Sequence, residues 1–127
     1  MRLIIAGSRS LNPSLEDLKS YLEHWSLKPS EIVSGKASGV DSAGETYARK
    51  HQITLKVFPA KWEENATKTN KFGKPYNPLA GHERNAKMAD YADSLLLIWD
   101  GKSSGSANMK KCAEEKGLNI YEVTITS

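Results

Sequence analysis

The sequence predicts an α/β three-layer sandwich on a five-stranded, mainly parallel sheet of order 3-2-1-4-5, and two observations carry that prediction. Short apolar runs alternate along the chain with stretches of helical periodicity, the pattern of successive strand–helix–strand units. The runs also differ in kind. "LIIA" at 3–6 and "LLLI" at 95–98 are continuously apolar, as strands covered on both faces read, whereas "TLKVF" and "YEVTI" alternate as edge strands do.

Taken in order, "RLIIAG" at 2–7 is the first strand. Asn12 followed by Pro13 reads as an N-cap with proline in the first helical turn, and Leu15, Leu18, Leu22 and Trp25 recur at helical spacing behind it. "EIVSG" at 31–35 is the second strand, and Val40, Ala43, Tyr47 and Ala48 share one face of the next helix. "TLKVFP" at 54–59 is the third. A polar segment over about 60–81 exceeds ordinary connection lengths, which predicts a functional lid or a disordered insert. Asn85, Met88 and Ala92 then mark a helix, 94–99 the fourth strand, Met109, Cys112, Ala113 and Lys116 the last helix, and 119–125 the fifth strand.

Bulk composition narrows the function classes. A chain of 127 residues, 39% hydrophobic and 26% charged, has the size and balance of one domain over 1–127. Its longest apolar run, Leu95–Trp99, is far below the roughly 20 residues of a membrane span, and no signal-type segment opens the chain. The expectation is a cytoplasmic protein with no membrane partner. One cysteine, Cys112, reads as core filler, and His24, His51 and His82 lie in separate segments without ligand spacing. No metal and no cofactor are therefore expected. A net charge of +3 is too small to indicate a polyanion by itself and leaves a nucleotide or nucleic acid open.

In a sheet of this order the crevice between the first and fourth strands, outside their carboxyl ends, is where ligands bind. Three loops meet there: "GSRS" at 7–10, "SGKASGVD" at 34–41 and "WDGKSSGS" at 99–106. Each joins glycine, which admits a ligand close to the backbone, with serine hydroxyls and a following helix whose free amides favour phosphate. The candidate ligand-binding residues are Gly7, Ser8 and Arg9 from the first loop, and Gly35, Ser38, Gly39 and Asp41 from the second. The third supplies Asp100, Gly101, Ser103, Ser104, Gly105 and Ser106. Asp100 would repel a phosphate set directly on it, so it is expected to accept hydrogen bonds from a ribose hydroxyl or from the turn's own amides. None of the loops matches a Walker lysine motif or G-x-G-x-x-G, which disfavours a P-loop hydrolase and an ordinary dehydrogenase.

"GSR", "SGKASGVDSAGETYA", "GHERNAKMADYADSLLLIWDG" and "SSGSANM" together resemble the SLOG superfamily, specifically its small YspA-like branch of domains of unknown function. The resemblance spans nearly the whole chain. It implies a Rossmann-like fold and recognition of nucleotides or nucleotide-derived ligands, a theme shared with the Lonely Guy phosphoribohydrolases and with the Rossmann-like domain of DNA-processing protein A. "HERNAKM" is similar to the "HERKAEM" helix of the Lonely Guy enzymes, which places Arg84 at their catalytic arginine and Asn85 at their lysine. "WDGKSSGSANM" is similar in position to their P-G-G-x-G-T-x-E-E segment, with Asn108 and Met109 where the acid pair would stand. Oxocarbenium formation at a ribose carbon wants a nearby carboxylate, for which Asp100 or Asp41 remain.

The expected function is binding of a nucleotide or nucleotide-derived ligand, as a sensor or binding module. The alternative is an N-glycosidic hydrolase of nucleoside 5'-monophosphates using Arg84 and Asp100. A third reading, single-stranded nucleic-acid binding, draws on Lys61, Lys68, Lys71 and Lys74 interleaved with Trp62, Phe72 and Tyr76. Trp62 is also placed to close over a ligand from the side. Ligand identity and homo-oligomerisation stay open.

Overall fold

The computed structural model describes residues 1–64 and 66–125. Five strands form the main sheet: β1 (Arg2–Gly7), β2 (Glu31–Ser34), β3 (Thr54–Val57), β6 (Ser94–Trp99) and β7 (Asn119–Thr124). Their order is β3-β2-β1-β6-β7 with every pairing parallel, which is the expected 3-2-1-4-5 arrangement of a Rossmann-like α/β fold. The continuously apolar strands are central for the reason read from the sequence. β6 is buried at all six positions, whereas β3 alternates between exposed and half-buried residues.

Side-chain alternation along the strands divides the core in two. On one face Ile4, Ala6, Val33, Leu95 and Leu97 pack against α3 (Ala80–Tyr91) and α4 (Ser104–Glu115) through Met88, Ala89, Met109 and Ala113. On the other, Leu3, Ile5, Ile32, Leu96 and Ile98 meet α1 (Leu15–His24) and α2 (Val40–Lys50) through Leu18, Leu22, Val40 and Ala48. Two helices per face complete the sandwich. Among the described residues no helix is long and apolar enough to cross a membrane.

The expected elements are corrected in three places. The N-cap of α1 is Ser14, not Asn12: the Ser14 hydroxyl accepts from the Asp17 amide while the Asp17 carboxylate accepts from the Ser14 amide. That reciprocal box satisfies two end amides and holds the helix start two residues beyond Asn12. The second, third and fifth strands stop at Ser34, Val57 and Thr124, short of Gly35, Pro59 and Ile125, although the Phe58 and Ile125 amides still donate to the Ser34 and Trp99 carbonyls. Finally, the 60–81 segment is partly ordered. Lys68–Thr69 (β4) pairs antiparallel with Pro75–Tyr76 (β5), and α3 already begins at Ala80. Asn65, inside this segment, lies outside the described residues.

Candidate functional site

A cleft of about 550 Å³ opens at the carboxyl ends of β1 and β6, the place where the sheet order reverses. The first loop lines it with Gly7, Ser8 and Arg9, and α2 with Asp41. Arg84 and Asn85 reach it from α3, and Asp100 with 103–106 from the last loop. Four expected residues do not line it: Gly35, Ser38, Gly39 and Gly101. Ser38 and Gly101 are exposed elsewhere, and the two buried glycines act behind the wall.

Gly39 caps α2 with φ +74°, a conformation L side chains rarely adopt, and a Cβ there would fall 2.5 Å from the carbonyl oxygens of both Ser8 and Arg9. Only glycine lets these two loops touch. Gly35 serves a different contact. A Cβ on it would sit 2.6 Å from Arg84 Nη1 and 2.9 Å from Asp41 Oδ2, so the missing side chain is what allows Arg84 to come in beside Asp41. The Nη1 group donates to the Gly35 carbonyl, and Nε donates to Asn85 Oδ1 at 3.0 Å.

Asn85 is 4% exposed and ties the wall together. Its Nδ2 donates to the Gly105 carbonyl at 3.2 Å and to Asn108 Oδ1 at 2.9 Å, so α3 holds the first turn of α4. The positions where the resemblance asks for lysine and for an acid are thus paired with each other. Met109 stands at the second acid position and, with Met88 and Ala6, supplies an apolar part of the lining.

The two carboxylates of the cleft differ in electrostatics. Asp41 is almost fully buried, and desolvation raises its carboxyl above the ordinary value, against the opposing pull of the Arg84 charge and of the Ala37, Gly7 and Gly35 amides. Asp100 goes the other way. The amides of Lys102 and Ser103 both donate to its Oδ1, at 2.8 and 2.9 Å, and hold it below the usual range. Of the two roles expected for Asp100, the one present is acceptance from the turn's own amides.

The donors of the cleft are less occupied. A guanidinium carries five N–H groups, and two of Arg84's have acceptors, leaving three without one among the described residues. Burial and the nearby Arg9 charge lower the Arg84 pKa while Asp41 raises it, so two cations face one another across a half-buried space. At the start of α4, Ser103 caps the Ser106 amide at 3.4 Å, while the Ser104 and Gly105 amides find no acceptor among the described residues. Ser106 Oγ is the one buried side-chain polar atom without a partner among them.

No protein-family model matches this sequence, and no curated protein matches it. Among solved structures, DNA processing protein A (DprA) from Streptococcus pneumoniae is similar, with a TM-score of 0.66 at 18% identity over 95% of this chain and 49% of that one. The likeness is one of fold. The chain spans about half the length of DprA.

Several lining residues were not read from the sequence as site residues. Met88 and Met109 showed core periodicity and, with Gly81 and His82, entered only as parts of the stretches that carry the family resemblance, while Pro78 carries no signal. Trp62, expected at the side, does line the cleft, and its carbonyl accepts from the amide of Asn77 at 2.6 Å, which ties the two ends of the insert to each other. Among the described residues no group of three or more His, Cys, Asp or Glu is placed to hold a metal ion.

Proposed function

We propose that the chain is a SLOG-type domain, close to the YspA-like branch, that binds a phosphate-bearing nucleotide or nucleotide-derived ligand in this cleft without turning it over. One observation carries the reading: the Ser104 and Gly105 amides, three Arg84 N–H groups and the Ser106 hydroxyl, all able to donate, have no partner among the described residues, while backbone amides already donate to both carboxylates. A phosphate would take the Ser104 and Gly105 amides and the Ser106 hydroxyl, favoured by the helix dipole, and one fork of Arg84 or Arg9. Base or sugar would lie on Met88, Met109 and Trp62. Hydrolysis wants a carboxylate free to stabilise charge at the ribose carbon, and Asn108 already accepts from Asn85 at that position.

The test is a melting-temperature and calorimetric titration with adenosine 5'-monophosphate, since a ligand bound only to the native state stabilises it. Binding with no adenine released over hours supports the reading. Appearance of free adenine and ribose 5-phosphate would replace it with the phosphoribohydrolase, Arg84 and Asp41 or Asp100 then being the groups to vary.

A second reading, single-stranded nucleic-acid binding, has its own observation. Phe72 is 76% exposed at the tip of the β4–β5 hairpin, with Lys71 Nζ 5.2 Å from its ring centre and Lys68 and Lys74 alongside. Anisotropy of a labelled oligothymidylate against salt tests it: binding that weakens with salt and is lost in Phe72→Ala supports it, and no binding removes it.

A further inference from the structure

A second cavity, of about 300 Å³, lies beyond the end of β3 against α3, and among the described residues Arg84 alone lines both it and the main cleft. Its charged lining is Lys56, Lys61, Arg84 and Lys87 against Glu64 and Glu83. Both carboxylates already have partners: Glu64 lies 3.8 Å from Lys61, and Glu83 accepts from Asn77 Nδ2. Lys56 and Lys87 have no carboxylate partner among the described residues, and Lys56 Nζ sits 5.5 Å from the Phe58 ring centre and 5.9 Å from that of Tyr91. The cavity is therefore a concave pocket with cations in excess, sharing Arg84 with the site described above.

Resting on the nucleotide reading of the main cleft, we propose that this pocket is a second anion subsite and that the ligand carries two anionic groups, one on each side of Arg84. The spacing follows from the guanidinium. Oxygens held by N–H groups on opposite sides of one guanidinium, at roughly 2.9 Å each, lie about 6 Å or more apart. Adjacent phosphates of a diphosphate share a bridging oxygen and are closer than that, whereas phosphates on the 3' and 5' oxygens of one ribose are not. The class that fits is a nucleotide with anions separated by a sugar.

Calorimetric titration of the full chain with adenosine 5'-monophosphate, adenosine 5'-diphosphate and adenosine 3',5'-bisphosphate tests this. The bisphosphate is expected to bind tightest. The double variant Lys56→Ala, Lys87→Ala should lose roughly tenfold or more of the bisphosphate affinity, the scale of one or two hydrogen bonds to charged groups, and keep the monophosphate affinity and melting temperature. A diphosphate binding more tightly than the bisphosphate, or a double variant with unchanged bisphosphate affinity, overturns the subsite while leaving the main cleft intact. Failure of all three nucleotides to bind removes the nucleotide reading itself, and the subsite with it.

Discussion

The loops that start α2 and α4 are built from nearly the same residues, "SGKASGVD" and "DGKSSGS", yet they are used differently. At α2 the loop is filled from within: the Val40 amide donates to the Ser8 carbonyl, Asp41 Oδ2 accepts from Ala37, and Gly39 is pressed onto the first loop. At α4 the first turn faces the cleft with unpaired donors, and a Cβ on Gly105 would meet nothing within 4 Å. Glycine–serine composition alone does not make an anion site. Each helix start keeps two amides without an acceptor among the described residues, Asp41 and Ser42 at α2 and Ser104 and Gly105 at α4, so what separates scaffold from site is that the α2 loop is pressed onto neighbouring backbone at Gly39 while the α4 turn opens on the cleft.

The sharpest break of this contrast is a pair of glycine substitutions. Gly39→Ala should cost about 3 kcal/mol, combining the left-handed penalty with overpacking. Gly105→Ala should leave stability unchanged or raise it by up to ~1 kcal/mol, because its site is open and helical. Urea unfolding of both variants measures this, and equal midpoints would remove the distinction between the loops. For ligand, Arg84→Ala should weaken nucleotide binding by roughly 1.5 to 3 kcal/mol, and Arg84→Lys should restore only part of it, since the fork is lost. Calorimetry reads that directly.

The two aspartates should give opposite pH slopes. Asp41 has a folded-state pKa above its ordinary 3.8, so its favourable contribution is present below that value and lost as pH rises through the folded pKa. Asp41→Asn should therefore gain stability relative to the parent with rising pH. Asp100 has a lowered pKa, so its contribution is present above 3.8 and lost as pH falls through the folded value. Asp100→Asn should lose stability at neutral pH, with the gap closing in acid. Denaturation midpoints across pH 3 to 8 decide, and slopes of one sign in both variants would contradict the assignment. Ser103→Ala should cost about 1 kcal/mol for the lost α4 cap, read from the same urea unfolding.

Legibility in the sequence followed the range of the interaction. Sheet order was readable because covering a strand on both faces demands an apolar run, a property of consecutive residues such as Leu95–Ile98. The start of α1 was misread because an Asn-Pro signal and a Ser-x-x-Asp box overlap there, and the box satisfies two amides where the first satisfies one. Arg84 was legible as a residue through its family resemblance, but its neighbours were not. Gly35 precedes it by 49 positions, and nothing local says that this glycine exists to let a guanidinium approach. Lys56 likewise reads as an ordinary exposed position of an edge strand until α3 is packed beside it.

The five-stranded parallel sheet, its order and the placing of three glycine–serine loops at its carboxyl end were legible from the chain alone, because periodicity and turn chemistry are written in adjacent residues. Packing set which helices cover each face, which amides stay free, which of Asp41 and Asp100 is held above or below its ordinary pKa, and that Arg84 lines two cavities rather than one. Those properties depend on burial and on partners distant in the chain, and both exist only after the layers have packed.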